Sequence, residues 1–147
     1  MRPATQALTP AARVLGYGGL LPFVGLAVAA SSSLLPPEWR PTAATALAAY
    51  GATILSFLGG IHWGVAFTQG RPARASFAWG VLPSLLGWVA LLLPVRAGLA
   101  LLGVAIVACY VVDRRLYGDY GITRWLVLRR VLTAGAAGSC VVAAALA

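Results

Sequence analysis

The sequence predicts an all-α, polytopic integral membrane protein, a bundle of five transmembrane helices, and two observations carry that prediction. Five apolar stretches, at about residues 14–35, 42–68, 75–93, 97–112 and 126–147, are long enough to cross a bilayer as helices. The cationic residues are all arginine, and nine of the eleven fall on one side of this row of stretches. The chain is 61% hydrophobic and 10% charged, and its connections are too short to build a soluble domain. Function therefore rests with the bundle and its rims.

Each element follows in order. An N-terminal segment, residues 1–13, carries Arg2 and Arg13 and leads into the first span. Arginines ahead of an apolar run that ends in Val28, Ala29, Ala30 and Ser31 have the outline of a secretory signal peptide. The run continues through Leu34 and Leu35, however, and matches a true span in length, so an uncleaved helix is expected.

The second span is rich in small residues: Gly51, Ser56, Gly59, Gly60, Gly64 and Ala66. Lipid gives helices no hydrophobic reason to associate, so close backbone approach at small residues must hold them together. Gly59, Gly60 and Gly64, the last two forming a GxxxG, are the expected packing positions.

In the third span Gly80-Val81-Leu82-Pro83 echoes Gly19-Leu20-Leu21-Pro22 of the first. Either spans one to four form a parallel repeat, or these are two separate proline kinks; the simpler kinks are preferred. The fourth span ends at 112, and residues 113–125 are expected to be a connecting loop. Its aromatic rings and arginines suit the headgroup level. Arg114, Arg115, Arg124, Arg129 and Arg130 are the candidates for docking anionic lipid headgroups or a partner membrane protein. The fifth span offers Gly135, Gly138 and Ser139 for packing. Cys109 and Cys140 fall within spans and are expected to be buried free thiols; no metal-ligand spacing occurs.

The arginine bias sets the orientation. The N-terminus and the second and fourth connections are expected in the cytoplasm, or on the matrix side in an organelle, and the C-terminus on the opposite side. An arginine-only, alanine-rich composition points to a bacterial inner (plasma) membrane. The formal charge of +8 is then explained by topology, and no nucleic-acid partner is expected.

His62, the single histidine, lies about 9 Å from the end of the second span, inside the hydrocarbon. An ionisable residue at such depth is a functional hypothesis by default, although a neutral imidazole also links helices structurally. Depth matching places Tyr17, Trp63, Trp79 and Tyr110 in the same half of the bundle, with Asp113 at the rim. Asp113 reaching inward would orient His62 or share its proton; its more ordinary role is to pair with Arg114 or Arg115.

The Tyr17–Phe23 run YGGLLPF, the GGIHWG of residues 59–64, and the YGDYG that follows Asp113-Arg114-Arg115 together resemble a known family. It is the membrane-protein family of domain of unknown function 3429, whose eukaryotic members resemble transmembrane protein 69. The resemblance runs from about Arg13 to the end of the fifth span. It implies a five-helix integral protein of bacterial inner or mitochondrial membranes, and it carries no established activity to any residue.

The sequence holds no phosphate-binding glycine loop, no HExxH, no GxSxG and no intramembrane carboxylate pair, so no enzyme, catalytic residue, metal or cofactor is predicted. The expected function is that of a non-catalytic accessory or assembly factor of a larger membrane complex. The alternative is a small transporter or proton-linked carrier using His62. Haem or quinone binding comes third, since one histidine per chain supplies only a single axial ligand.

Overall fold

In the computed structural model, which describes residues 8–69 and 74–146, all the long elements are helices. Arg2 and Arg71, two of the topology-setting arginines, lie outside the described residues. Thr9 starts helix α1 (Pro10–Gly18) by accepting the Ala12 N–H on its hydroxyl at 3.3 Å, with Pro10 in the first turn where no N–H is required. After Gly19 the chain continues as α2 (Leu20–Ser31), so the first span is two helices end to end. Pro22 has no N–H to offer the Gly18 carbonyl, which weakens the ladder at this join. The Tyr50 hydroxyl donates to the Gly19 carbonyl at 3.0 Å and ties this join to the next span.

A single 3-10 turn, Pro37–Trp39, leads into α3 (Arg40–Gln69), followed by α4 (Arg74–Leu92), α5 (Val95–Asp119) and α6 (Trp125–Leu146). Among the described residues, four stretches are long and apolar enough to cross a membrane: Pro10–Ser31, Pro37–Thr68, Val95–Asp119 and Trp125–Leu146. The apolar part of α4, Ser76–Leu92, is shorter. Pro83 sits inside a continuous α4 whereas Pro22 sits at a break, so the two proline motifs are not used alike.

The expected loop at residues 113–125 is mostly helix, because α5 runs through to Asp119. Hydropathy falls at Asp113-Arg114-Arg115, but the buried stripe Leu102, Ile106, Cys109, Asp113, Tyr117 keeps helical spacing across those charges, and Arg114 and Arg115 point outward. The helix stops where the Ile122 N–H bonds the Tyr117 carbonyl at 3.0 Å and the Gly121 N–H bonds the Gly118 carbonyl at 3.1 Å. This Schellman arrangement needs a left-handed residue, supplied by Gly121 at φ 70°.

Around the bundle, α2, α3, α4, α5 and α6 each touch the next and α6 returns to α2, while α3 also packs across on α5. Leu47, Leu55, Leu99, Leu102, Ile106 and Cys140 form the fully buried centre. Cys109 and Cys140 are buried free thiols.

The expected glycine packing requires correction. Gly60 and Gly64 face outward, and a Cβ on either would meet nothing within 4 Å. The buried stripe of α3 runs through Gly51, Leu55, Gly59, His62 and Ala66, and a helical residue lies about 100° round from its neighbour, so Gly60 misses the stripe by one step. Gly59 makes the close approach: a Cβ there would strike the Gly80 carbonyl, and one on Gly80 would strike the Trp63 ring. On α6, Gly135 packs on Leu20, but Gly138 is exposed. Gly59→Leu is therefore expected to destabilise the bundle by about 1–3 kcal/mol through overpacking, and Gly60→Leu to stay within about 0.5 kcal/mol of wild type. Thermal midpoints in detergent that fall equally for both variants would show that the α3–α4 contact is not limiting.

A buried histidine, aspartate and arginine as candidate functional site

Three helices bring ionisable side chains to one point near the arginine-rich end of the bundle, where α3 and α5 end and α4 and α6 begin. His62 of α3 and Asp113 of α5 are each 1% exposed, and Arg129 of α6 is 7% exposed. All three occupy the buried stripes of their helices; on α6 that stripe is Arg129, Thr133, Ala136 or Ala137, Cys140 and Ala143.

His62 Nε2 lies 3.0 Å from Asp113 Oδ1. Arg129 donates to the other carboxylate oxygen, Oδ2, through Nε at 3.1 Å and Nη2 at 2.5 Å. The second imidazole nitrogen, Nδ1, is 3.2 Å from the Tyr120 hydroxyl, which is 3.2 Å from the Ser76 hydroxyl of α4. Tyr117, also buried, interacts with both Asp113 and Arg129.

More than one proton arrangement satisfies this chain, since the donor and acceptor roles follow the state of the imidazole. With a neutral imidazole, Nε2–H donates to Asp113, Nδ1 accepts from Tyr120, and the Tyr120 oxygen accepts from Ser76. Asp113 and Arg129 are opposite in charge and in direct contact, so each supplies the other's counter-charge. In a low-dielectric interior that balance matters, because an uncompensated charge there is far more costly than at a surface. The group completing the surroundings of His62 and Asp113 is a guanidinium, which would repel a metal cation rather than help to hold one.

The structure disperses the remaining expected cluster. Tyr17 is largely exposed. Trp63 turns to the outer face, donating Nε1–H to the Phe77 carbonyl at 3.0 Å and stacking edge-on with Phe67 and Phe77. Trp79 is half-buried, with no hydrogen-bond partner for Nε1 among the described residues. Tyr110 lies beneath the Arg114 guanidinium at 6.0 Å. Of the arginines assigned to docking, Arg114, Arg115, Arg124 and Arg130 are exposed, but Arg129 is not a rim residue. It turns inward because it lies four residues before Thr133 on the buried stripe, and Asp113 accepts it in place of Arg114 or Arg115.

Sequence reasoning missed Arg129, Tyr117, Tyr120 and Ser76 as members of the site. A signal existed for two of them. Arg129 continues the α6 stripe, and Tyr117 stands one turn after Asp113 on α5.

Fold and site together define a polytopic α-helical membrane protein with an internal polar network that clamps three of its helices. The chain belongs to the family described as Protein of unknown function (DUF3429), whose model matches residues 8–145. It is similar to transmembrane protein 69 of Xenopus tropicalis, 38% identical over 138 residues, covering 86% of this chain and 51% of that protein. Transmembrane protein 69 of Mus musculus is 33% identical over 81 residues, covering 53% of this chain and 32% of that protein. The chain thus spans about half the length, or less, of the curated relatives it matches. No solved structure matches it.

Proposed function

We infer that the protein is a non-catalytic accessory or assembly factor of a larger membrane complex. The observation supporting this most is the bridge made by Asp113, whose carboxylate meets the His62 imidazole on one oxygen and the Arg129 guanidinium on the other. Such a cluster holds α3, α5 and α6 in register at a buried point. The exposed arginines at 114, 115, 124 and 130 form a rim suited to anionic lipid headgroups or an acidic partner surface. The arginine-only, alanine-rich composition supports a bacterial inner membrane, and the arginine bias supports an orientation with the N-terminus cytoplasmic and the C-terminus periplasmic. A periplasm-active reporter fused after Ala147 is the corresponding expectation.

Purification from native membranes in mild detergent tests the accessory role. Reproducible copurification of other integral membrane proteins in fixed proportion is expected. Isolation as a lone species that restores proton-coupled uptake in vesicles would overturn this reading. One observation favours that second reading: the hydrogen bonds from Ser76 through Tyr120 and His62 to Asp113 are continuous, and such a chain can relay a proton by reversing its donors.

A further inference from the structure

The seam between α5 and α6 carries two of the exposed arginines to one place. On α5, Gly103 faces α6, since a Cβ there would meet Val141, Cys140 and the Ala137 carbonyl. Tyr110 and Arg114 follow Gly103 by seven and eleven residues, whole helical turns, and therefore share its side of the helix. On α6, Ala137 and Val141 follow Arg130 by the same intervals, so Arg130 also lies on the seam side. The antiparallel register that sets Gly103 against Ala137 and Val141, and Asp113 against Arg129, sets Arg114 level with Arg130. Asp113 and Arg129 hold the buried inner edge of the seam there. Arg114 and Arg130, each one position further along its helix, are exposed on the outer edge.

Neither of the outer arginines is neutralised. Among the described residues Arg114 meets the Tyr110 ring, whose centroid lies 6.0 Å from the guanidinium carbon, and neither Arg114 nor Arg130 makes an ion pair or a side-chain hydrogen bond. Each stands five residues inside its helix, counted from Asp119 on α5 and from Trp125 on α6, which is roughly 7.5 Å at the helical rise. Val111 beside Arg114, and Val127 and Val131 around Arg130, are exposed on the same outer surface. A guanidinium among lipid-facing valines lays its stem along the apolar surface and puts its charge at the level of the lipid phosphates.

Charge and shape narrow the occupant. Two guanidiniums without carboxylate partners on one seam match a phosphate, whose oxygens accept hydrogen bonds from both. A headgroup of net negative charge compensates the pair better than a zwitterionic one, which brings its own cation. Toward mid-membrane the outer edge of the seam continues as Val107, Ala134 and Val141, all exposed, so an acyl chain finds an apolar track leading directly from the charged pair. An acidic protein surface would approach the pair from the water and leave that track uncovered.

We propose that Arg114 and Arg130 clamp the phosphate of one anionic phospholipid, with Tyr110 fixing the Arg114 guanidinium and an acyl chain lying along Val107, Ala134 and Val141. This seat rests on the membrane-facing arginine rim of the proposed accessory role, whereas copurification tests that role without any added lipid.

Thermal unfolding of the intact protein in a neutral detergent, titrated with dioleoylphosphatidylglycerol, tests the seat. A saturable rise in midpoint is expected, since a ligand that binds only the folded state stabilises it, and 0.5 M sodium chloride should weaken it by screening exposed charge. Arg114→Gln and Arg130→Gln should each raise the half-saturating concentration about fivefold, the usual worth of one arginine near an anionic lipid surface. Arg13→Gln removes the same charge from an exposed position on α1 at the same end of the bundle and should stay close to wild type. All three are surface changes, so their lipid-free midpoints should match wild type and a folding defect would be seen apart from lost binding. Dioleoylphosphatidylcholine, with the same tails and no net charge, should need a several-fold higher concentration, and inorganic phosphate should give no saturable rise. The seat is overturned if the phosphatidylglycerol effect never saturates or ignores salt, if Arg114→Gln and Arg130→Gln behave as Arg13→Gln does, or if phosphatidylcholine saturates equally well. Saturation by inorganic phosphate alone, or by a soluble hexaglutamate peptide in place of the lipid, would overturn it too, giving the pair to a free anion or to an acidic partner surface.

Discussion

Replacing Asp113 with alanine is expected to destabilise the protein by about 3–5 kcal/mol, because it leaves the Arg129 guanidinium buried without its counter-charge. The same change removes the acceptor of the His62 Nε2–H, so two helices lose their link to α5 at once. Arg129→Met is expected to do comparable damage by stranding the carboxylate. The double variant Asp113→Ala with Arg129→Met should be much less unstable than the two single losses added together, since it removes both charges and leaves neither unpaired. Unfolding midpoints of the wild type, the two arginine-site and aspartate-site singles and the double variant measure this directly. Additive losses would mean that the pair is not the coupled unit its geometry describes.

His62→Leu should lower stability by about 1–3 kcal/mol, the usual consequence of leaving buried partners without their hydrogen bonds. Here the buried partner is Asp113 Oδ1. His62→Gln retains an N–H donor and a carbonyl acceptor on a side chain of similar reach, so it is expected to accumulate nearly as wild type. Glutamine neither titrates nor relays a proton. A cellular phenotype of the deletion that His62→Gln rescues fully would therefore agree with a structural imidazole. A stable His62→Gln protein without rescue would count against the accessory reading and favour the proton-linked carrier.

Much of the architecture was legible in the chain because it depends on local quantities. The lengths of the apolar runs predict the number and type of the helices, since a lone backbone in hydrocarbon must satisfy its own hydrogen bonds. The position of His62 within such a run marked it as unusual before any contact was known. The extension of α5 to Asp119 was less visible, because an averaged hydropathy fell at three adjacent charged residues. The helical spacing of Leu102, Ile106, Cys109, Asp113 and Tyr117 carried the correct answer.

Facing was decided elsewhere. Gly60 and Gly64 formed the better-known motif, yet Gly59 meets Gly80, because rotation of α3 is set by everything that packs along its 30 residues. Arg129 and Arg130 are adjacent and chemically identical in sequence, but one lies in the core and the other faces outward. By itself the sequence determined that this is an all-helical membrane protein with a cationic end and a histidine within its apolar spans, because composition and run length suffice for that. Only the tertiary structure decided that the histidine meets Asp113, and that Asp113 takes Arg129 instead of its neighbours. Those outcomes depend on how five helices rotate against one another, and a buried charge selects the single rotation at which its partner is within reach.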